Sequence, residues 1–166
     1  MNNPDRIKPI ILGTMTMIIL SVIPILSLIN IFCCAGIVLG GVVGVASYNK
    51  QLKSTNVKLL YKDGVIIGIL CGILSAVVVT GVNLLTQMYS KVNPFIEIKS
   101  LLESFTNIIP EISNEIDRLA EEYNIYGYSP TLTIFMALTH IILYPLFGIL
   151  GGILMVTILN KKNKNV

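Results

Sequence analysis

The chain has 166 residues, of which 54% are hydrophobic and only 13% charged, and its formal net charge is +3. Residues 10–48, 64–90 and 129–160 contain no lysine, arginine, aspartate or glutamate. Because ordinary soluble domains carry about 25% charged residues, such long uncharged stretches exclude the soluble enzyme classes and predict an integral membrane protein.

The first uncharged stretch is long enough for two membrane helices. A helix needs about 20 apolar residues to cross about 30 Å of hydrocarbon, and polar residues and proline interrupt the run between Pro24 and Asn30. We therefore predict transmembrane helices over residues 9–27 and 31–48, joined by a tight turn. A cleaved signal peptide is the alternative for the first helix, although no small-x-small cleavage site follows it.

Two further crossings are predicted downstream. Asp63 is a candidate cap for a third helix over residues 64–87, and Ser129 followed by Pro130 is typical of the start of a fourth, over residues 131–159. Nine of the twelve basic residues lie in the amino-terminal segment, in the loop between the second and third helices, and in the tail. Cytoplasmic segments carry the excess of lysine and arginine, so both termini of this multi-pass plasma-membrane protein are predicted to be cytoplasmic.

Between the third and fourth crossings lies an external segment with an amphipathic pattern. Asn93 and Pro94 are typical of a helix start, and apolar residues then recur at alternating spacings of four and three as far as Tyr123. The pattern continues through Pro110 and predicts one amphipathic helix over residues 94–124 with a proline bend. Seven acidic residues on the other faces argue against strong attraction to an anionic surface. The alternatives are packing on the chain's own helices or at the interface, self-association, and docking of a membrane protein partner.

Small residues at four-residue spacing are the clearest motif inside the predicted spans. They stack on one face of a helix and allow two backbones to approach closely. The pattern predicts a tight antiparallel hairpin of the second and third helices, with a narrow pore or a subunit contact as the functional alternative. The repeated glycines are Gly36, Gly40 and Gly44 on the second helix, Gly64, Gly68 and Gly72 on the third, and Gly148 and Gly152 on the fourth.

His140, the single histidine, lies four residues before Tyr144 on the face that carries the fourth helix's glycines. It is predicted to face other helices, either as a packed neutral residue or as a group that binds substrate or carries protons. No carboxylate lies within a predicted span, and Cys33, Cys34 and Cys71 form neither a zinc nor a redox motif. We therefore expect no catalytic centre, no metal or cofactor, and no nucleic-acid partner.

The order of these parts resembles an uncharacterised family of small bacterial four-helix membrane proteins, classed as a domain of unknown function. The residues that carry the resemblance are Ile23-Pro24 to Asn30, followed by Cys33-Cys34 and Gly40-Gly41. The resemblance implies an all-α architecture of four membrane helices, with an external acidic amphipathic helix before the last one. It implies no activity and no functional residues.

The sequence as a whole predicts a single membrane domain embedded in the lipid bilayer. Its predicted function is that of an accessory, scaffold or assembly protein that acts through helix–helix contacts. The alternative is a transporter or channel subunit that works as an oligomer, in which the glycine faces, His140 and Tyr144 line a path.

Overall fold

The computed structural model describes residues 5–27, 30, 34–53, 57–90, 92–105 and 110–164, and the regular elements among them are α-helices. The predicted all-α fold is confirmed. The helices are α1 (Ile7–Val22), α2 (Pro24–Ser27), α3 (Ala35–Lys53), α4 (Tyr61–Tyr89), α5 (Pro94–Phe105), α6 (Pro110–Tyr126) and α7 (Pro130–Lys164). They form two compact units, Met1–Val79 with Thr139–Val166 (unit 1) and Thr80–Leu138 (unit 2). Helices α4 and α7 contribute residues to both.

Two helices, Tyr61–Tyr89 and Pro130–Lys162, are long and apolar enough to cross a membrane, with mean hydropathies of 2.7 and 2.3. The predicted first span is divided, because α1 ends after 16 residues and Ile23 is extended backbone before Pro24. Helix α3 has 19 residues, and Lys50 and Lys53 lie in its last turn. Among the described helices, spanning length is therefore established for two of the four predicted crossings.

The helix starts predicted from proline and its preceding residue are confirmed. Ser129 Oγ accepts a hydrogen bond from the Leu132 amide (3.2 Å) at the start of α7. Asn93 Oδ1 accepts one from the Phe95 amide (3.0 Å) at the start of α5. Each side chain satisfies an amide that has no carbonyl partner within its helix.

The single amphipathic helix predicted over residues 94–124 is wrong, because α5 and α6 are separate helices that pack antiparallel. Asn93 Nδ2 donates to Asn124 Oδ1 (2.9 Å), and Lys99 Nζ lies 2.6 Å from Asp117 Oδ1. In one continuous helix, residues 93 and 124 would be about 46 Å apart. The four-and-three spacing holds on both sides of Pro110, but periodicity does not reveal that the chain reverses direction. Residues 106–109 lie outside the described part of the chain.

Candidate functional site

Helices α4 and α7 pack through glycine in unit 1. A Cβ atom on Gly68 would lie 2.6 Å from the carbonyl carbon of Gly148, and one on Gly72 would lie 2.5 Å from Pro145 Cα. Both distances are shorter than real Cβ contacts, and the opposing atoms belong to backbone. Only glycine allows these two helices to approach so closely.

The glycines of α3 face more than one helix of unit 1. A Cβ on Gly40 would meet the Met17 side chain and would lie 2.9 Å from the carbonyl oxygen of Gly13. One on Gly44 would lie 3.0 Å from Ile67 Cγ2 of α4, a side chain rather than a glycine backbone. The atoms nearest to Gly40 belong to α1 and those nearest to Gly68 belong to α7, because a small-residue pattern marks a face without identifying the helix that covers it. The predicted hairpin of the second and third helices stays a prediction.

The remaining glycine contacts involve α1, α3, α4 and α7. Gly36 faces Leu20 and Asn30, and Gly64 and Gly152 face each other across α4 and α7. Sequence reasoning missed Gly41 and Gly151, which bring α3 and α7 together: a Cβ on Gly41 would meet the carbonyl oxygen of Gly148, and one on Gly151 that of Val38. The signal for them is the doubled glycines at 40–41 and 151–152, because adjacent glycines give a helix two small faces.

The ring centroids of His140 and Tyr144 lie 5.2 Å apart in an edge-to-face arrangement, with His140 half-buried and Tyr144 buried. Ser21 connects this pair to another polar side chain, because it hydrogen-bonds Tyr144 and also lies 3.4 Å from Asn30 Nδ2. Asn30 Oδ1 is buried and has no hydrogen-bond partner among the described residues. We name these four side chains the interior polar cluster.

The described part of the chain offers neither a metal site nor a cysteine pair. No three histidine, cysteine, aspartate or glutamate side chains there are placed to hold a metal ion. Cys71 is buried in the core of unit 1 and Cys34 is half-buried, and no disulfide joins these two cysteines. Cys33 lies outside the described residues.

A charged cluster that sequence reasoning missed joins α1, α3 and α4 in unit 1. Arg6 Nη2 lies 2.8 Å from Asp63 Oδ1, and Arg6 Nε donates to the Tyr48 hydroxyl (3.4 Å). The bond to Tyr48 is the main cause of a raised Arg6 pKa, and the charge of Asp63 adds to it. Asp63 was predicted to be the cap that precedes the third helix, but α4 begins at Tyr61, before Asp63. It lies in the first turn of α4, where its Oδ2 accepts the Leu60 amide (3.2 Å).

Two adjacent residues of α6 bind the ends of α4 and α7 within unit 2. The Tyr123 hydroxyl is 2.9 Å from the carbonyl oxygens of both Gln87 and Ser90, at the carboxyl end of α4. The Glu122 carboxylate accepts hydrogen bonds from the hydroxyls of Ser129 (2.6 Å) and Thr131 (2.5 Å) and from the Thr131 amide (3.1 Å). These bonds lower the pKa of Glu122. Both residues thus satisfy backbone groups that helix ends leave free.

The α5–α6 hairpin presents an apolar surface that its own packing does not cover. Ile98, Leu101 and Leu102, which we name the apolar ridge, are 45%, 59% and 37% exposed and lie on one face of α5. The hairpin is held together elsewhere, by the edge-to-face contact of Phe95 with Tyr123 and by the polar pairs already described. Seven acidic residues and three basic ones lie in unit 2.

Comparison of the chain with protein-family models, with curated proteins and with solved structures gives no match. The resemblance to the bacterial four-helix family stays a prediction.

Proposed function

We propose that the chain is a multi-pass protein of the plasma membrane with four crossings, both termini in the cytoplasm and the hairpin outside. The length and hydropathy of α4 and α7 support two of these four crossings. Ile11, Met15 and Ile19 of α1 are about half-exposed, which suits contact with lipid. The nine basic residues that flank α1, α3, α4 and α7 favour a cytoplasmic location for those helix ends.

Cysteine labelling tests this topology. In a cysteine-free background, a single cysteine at the exposed residue Asn114 of α6 is expected to react with an impermeant maleimide added to intact cells. A cysteine at the exposed residue Lys58, in the connection between α3 and α4, is the matched control and is expected to react only after the cells are opened. Reaction of Asn114→Cys only in opened cells would contradict the proposal.

We propose that the chain acts as an accessory or scaffold protein that engages a membrane protein partner through the apolar ridge of the external hairpin. The exposed ridge is the observation that carries this proposal. Its three side chains would bury their surface on binding, which is worth about 25 cal/mol per Å² of apolar area. Self-association through this surface is disfavoured, because the net negative charge of unit 2 would be brought against itself.

Assembly mass after gentle extraction tests the scaffold role. We expect the wild-type chain to be extracted in a complex whose mass is not a multiple of its own 18.2 kDa. The double variant Ile98→Ser/Leu101→Ser is expected to leave that complex while keeping its thermal midpoint. Ile125→Ser, at a 65% exposed position near the end of α6, is the control and is expected to stay in the complex. A wild-type mass that matches the single chain or a homo-oligomer would contradict partner docking.

The interior polar cluster favours a second candidate function, a transporter or channel subunit. Asn30 Oδ1 is a buried acceptor without a partner among the described residues, and His140 and Tyr144 belong to the same cluster. A permeating solute would be able to use such groups. Reconstituted protein is expected to give no pH-dependent tracer flux under the scaffold proposal. Wild-type flux that disappears in His140→Gln would favour transport, because glutamine does not titrate.

A further inference from the structure

Charge is strongly segregated between the two units. Unit 1 contains nine basic and two acidic residues, and unit 2 contains three basic and seven acidic ones. Seven lysines of unit 1 are exposed in the described part of the chain: Lys8, Lys50, Lys53, Lys58, Lys62, Lys161 and Lys162. None of these seven forms an ion pair there.

Contacts within unit 1 bring these lysines to one end of the helices. The Arg6–Asp63 pair joins the amino-terminal ends of α1 and α4, and the bond of Arg6 to Tyr48 adds the carboxyl-terminal part of α3. The hydroxyls of Tyr61 and Thr157, 3.5 Å apart, add the last turns of α7. A large positive potential therefore develops at a single end of unit 1.

The two carboxylates of unit 1 are already engaged. Asp63 binds Arg6 and the Leu60 amide, and Asp5 Oδ1 accepts the Ile7 amide (2.9 Å). Lys8 and Lys62 are the second residues of α1 and α4, where the positive end of the helix dipole disfavours a cation. These two lysines thus lie where their charge costs most in the absence of an anion.

An apolar groove lies between the parallel helices α1 and α4, and Lys8 and Lys62 are in the second position of these two helices. Its volume is about 300 Å³, and it is lined by Ile7, Ile10, Ile11, Leu70, Ile73 and Leu74. Lys8 precedes Ile11 of the groove wall by three residues and so lies beside it on α1. Lys62 lies about 12 Å before Leu70 along α4, towards the amino end of that helix. A lysine stem is long enough to lie along such a wall while its ammonium reaches the surface.

We propose that this groove binds an anionic phospholipid, with an acyl chain between α1 and α4 and the headgroup phosphate held by Lys8 and Lys62. The combination of an entirely apolar groove with a lysine in the second position of each of its two helices matches an amphiphile with an anionic head. The inference rests on the proposed membrane location. Each lysine near an anionic headgroup contributes about 1 kcal/mol, so the pair is worth about tenfold or more in affinity.

Lipid titration of the purified full-length chain tests the proposal. The protein is held in neutral detergent micelles to which phosphatidylglycerol, phosphatidylcholine or inorganic phosphate is added. Bound lipid is counted by native mass spectrometry. The thermal midpoint is followed, in a Cys33→Ser/Cys34→Ser background, through the reaction of the buried Cys71 with a thiol-reactive dye. We expect phosphatidylglycerol to bind and to raise the midpoint, and phosphatidylcholine and inorganic phosphate to do neither.

Two double variants separate a defined site from diffuse attraction. Lys8→Gln/Lys62→Gln is expected to weaken phosphatidylglycerol binding about tenfold or more. Lys50→Gln/Lys161→Gln removes the same charge from the carboxyl ends of α3 and α7 and is expected to leave binding within about threefold of wild type. Equal losses in the two double variants would overturn the proposal.

A third variant tests the groove without changing charge. Leu74→Trp fills it at a position that is 48% exposed and is expected to abolish tight phosphatidylglycerol binding. Stabilisation by inorganic phosphate equal to that by phosphatidylglycerol would also overturn the proposal, since such stabilisation would need no acyl chain.

An alkaline wash of cell membranes distinguishes failure of the lipid-site proposal from failure of the proposed membrane location. A washed membrane that keeps a chain unable to bind phosphatidylglycerol contradicts only the lipid site, whereas release of the chain contradicts the membrane location.

Discussion

Replacement of Gly68 by alanine is the sharpest test of how α4 packs on α7. The added Cβ would lie 2.6 Å from the carbonyl carbon of Gly148 and 2.8 Å from Ile149 Cα, and nearer still to the Gly148 carbonyl oxygen. All three opposing atoms are backbone, so no flexible side chain is able to move aside. The two helices would have to separate along their contact.

The magnitude follows from two opposing effects. Overpacking of a tightly packed site costs about 1–3 kcal/mol, whereas alanine is favoured over glycine within a helix by about 1 kcal/mol. Gly81 isolates the second effect, because it lies in the same helix and a Cβ there would meet nothing within 4 Å. Gly68→Ala is therefore expected to be about 1–3 kcal/mol less stable than Gly81→Ala, a difference of about 2–12 °C in thermal midpoint.

Thermal unfolding in detergent provides the assay. Cys71 is fully buried, so in a Cys33→Ser/Cys34→Ser background its reaction with a thiol-reactive dye reports the opening of unit 1. We expect the midpoint of Gly81→Ala to equal or exceed that of wild type and the midpoint of Gly68→Ala to fall below it. Equal midpoints for the two variants would refute the inference that Gly68 is required for the contact between α4 and α7.

Three further predictions concern hydrogen bonds at helix ends. Tyr123→Phe removes the hydroxyl that binds the last carbonyls of α4, and it is expected to lower the free energy of unfolding by about 1–2 kcal/mol in a denaturation experiment. The control Tyr126→Phe, at a 60% exposed position, is expected to leave that free energy unchanged. The pKa of Glu122 is lowered from its ordinary 4.5, so its contribution to stability is present above that pH and is lost as the pH falls through the lowered value. Below about pH 4.5, the thermal midpoint of Glu122→Gln is therefore expected to change less with pH than that of wild type. Asp63→Asn leaves Arg6 without its charge partner and is expected to cost about 1–2 kcal/mol in chemical denaturation, since Arg6 remains partly exposed; no loss would contradict a stabilising role for the pair.

Local signals in the sequence were sufficient for the features that depend on neighbouring residues. Ser129 and Asn93 each precede a proline and cap the helices predicted to begin there. The faces that carry glycine were also predictable, because residues four apart share a side of a helix whatever the rest of the chain does. The all-helical class followed from the uncharged stretches in the same way.

Features that depend on the course of the chain were not predictable from the sequence. The Arg6–Asp63 pair joins residues 57 positions apart, and no periodicity relates them. The glycine faces of α3 and α4 suggested a contact with each other, whereas the atoms nearest to Gly40 belong to α1 and those nearest to Gly68 belong to α7. The reversal between α5 and α6 was missed because the apolar spacing stays in phase across Pro110, the first residue of α6.

The two adjacent residues Glu122 and Tyr123 explain why the reversal is stable and why it matters for function. An acceptor is needed at the amino end of α7 and a donor at the carboxyl end of α4. Glu122 provides the acceptor and Tyr123 provides the donor from consecutive positions of α6. Those bonds hold α6 against both helix ends within unit 2, and Asn93 and Lys99 hold α5 against α6. Under the docking proposal, the apolar ridge lies on a helix that these bonds already hold against α6, which reduces the ordering entropy that docking would otherwise cost.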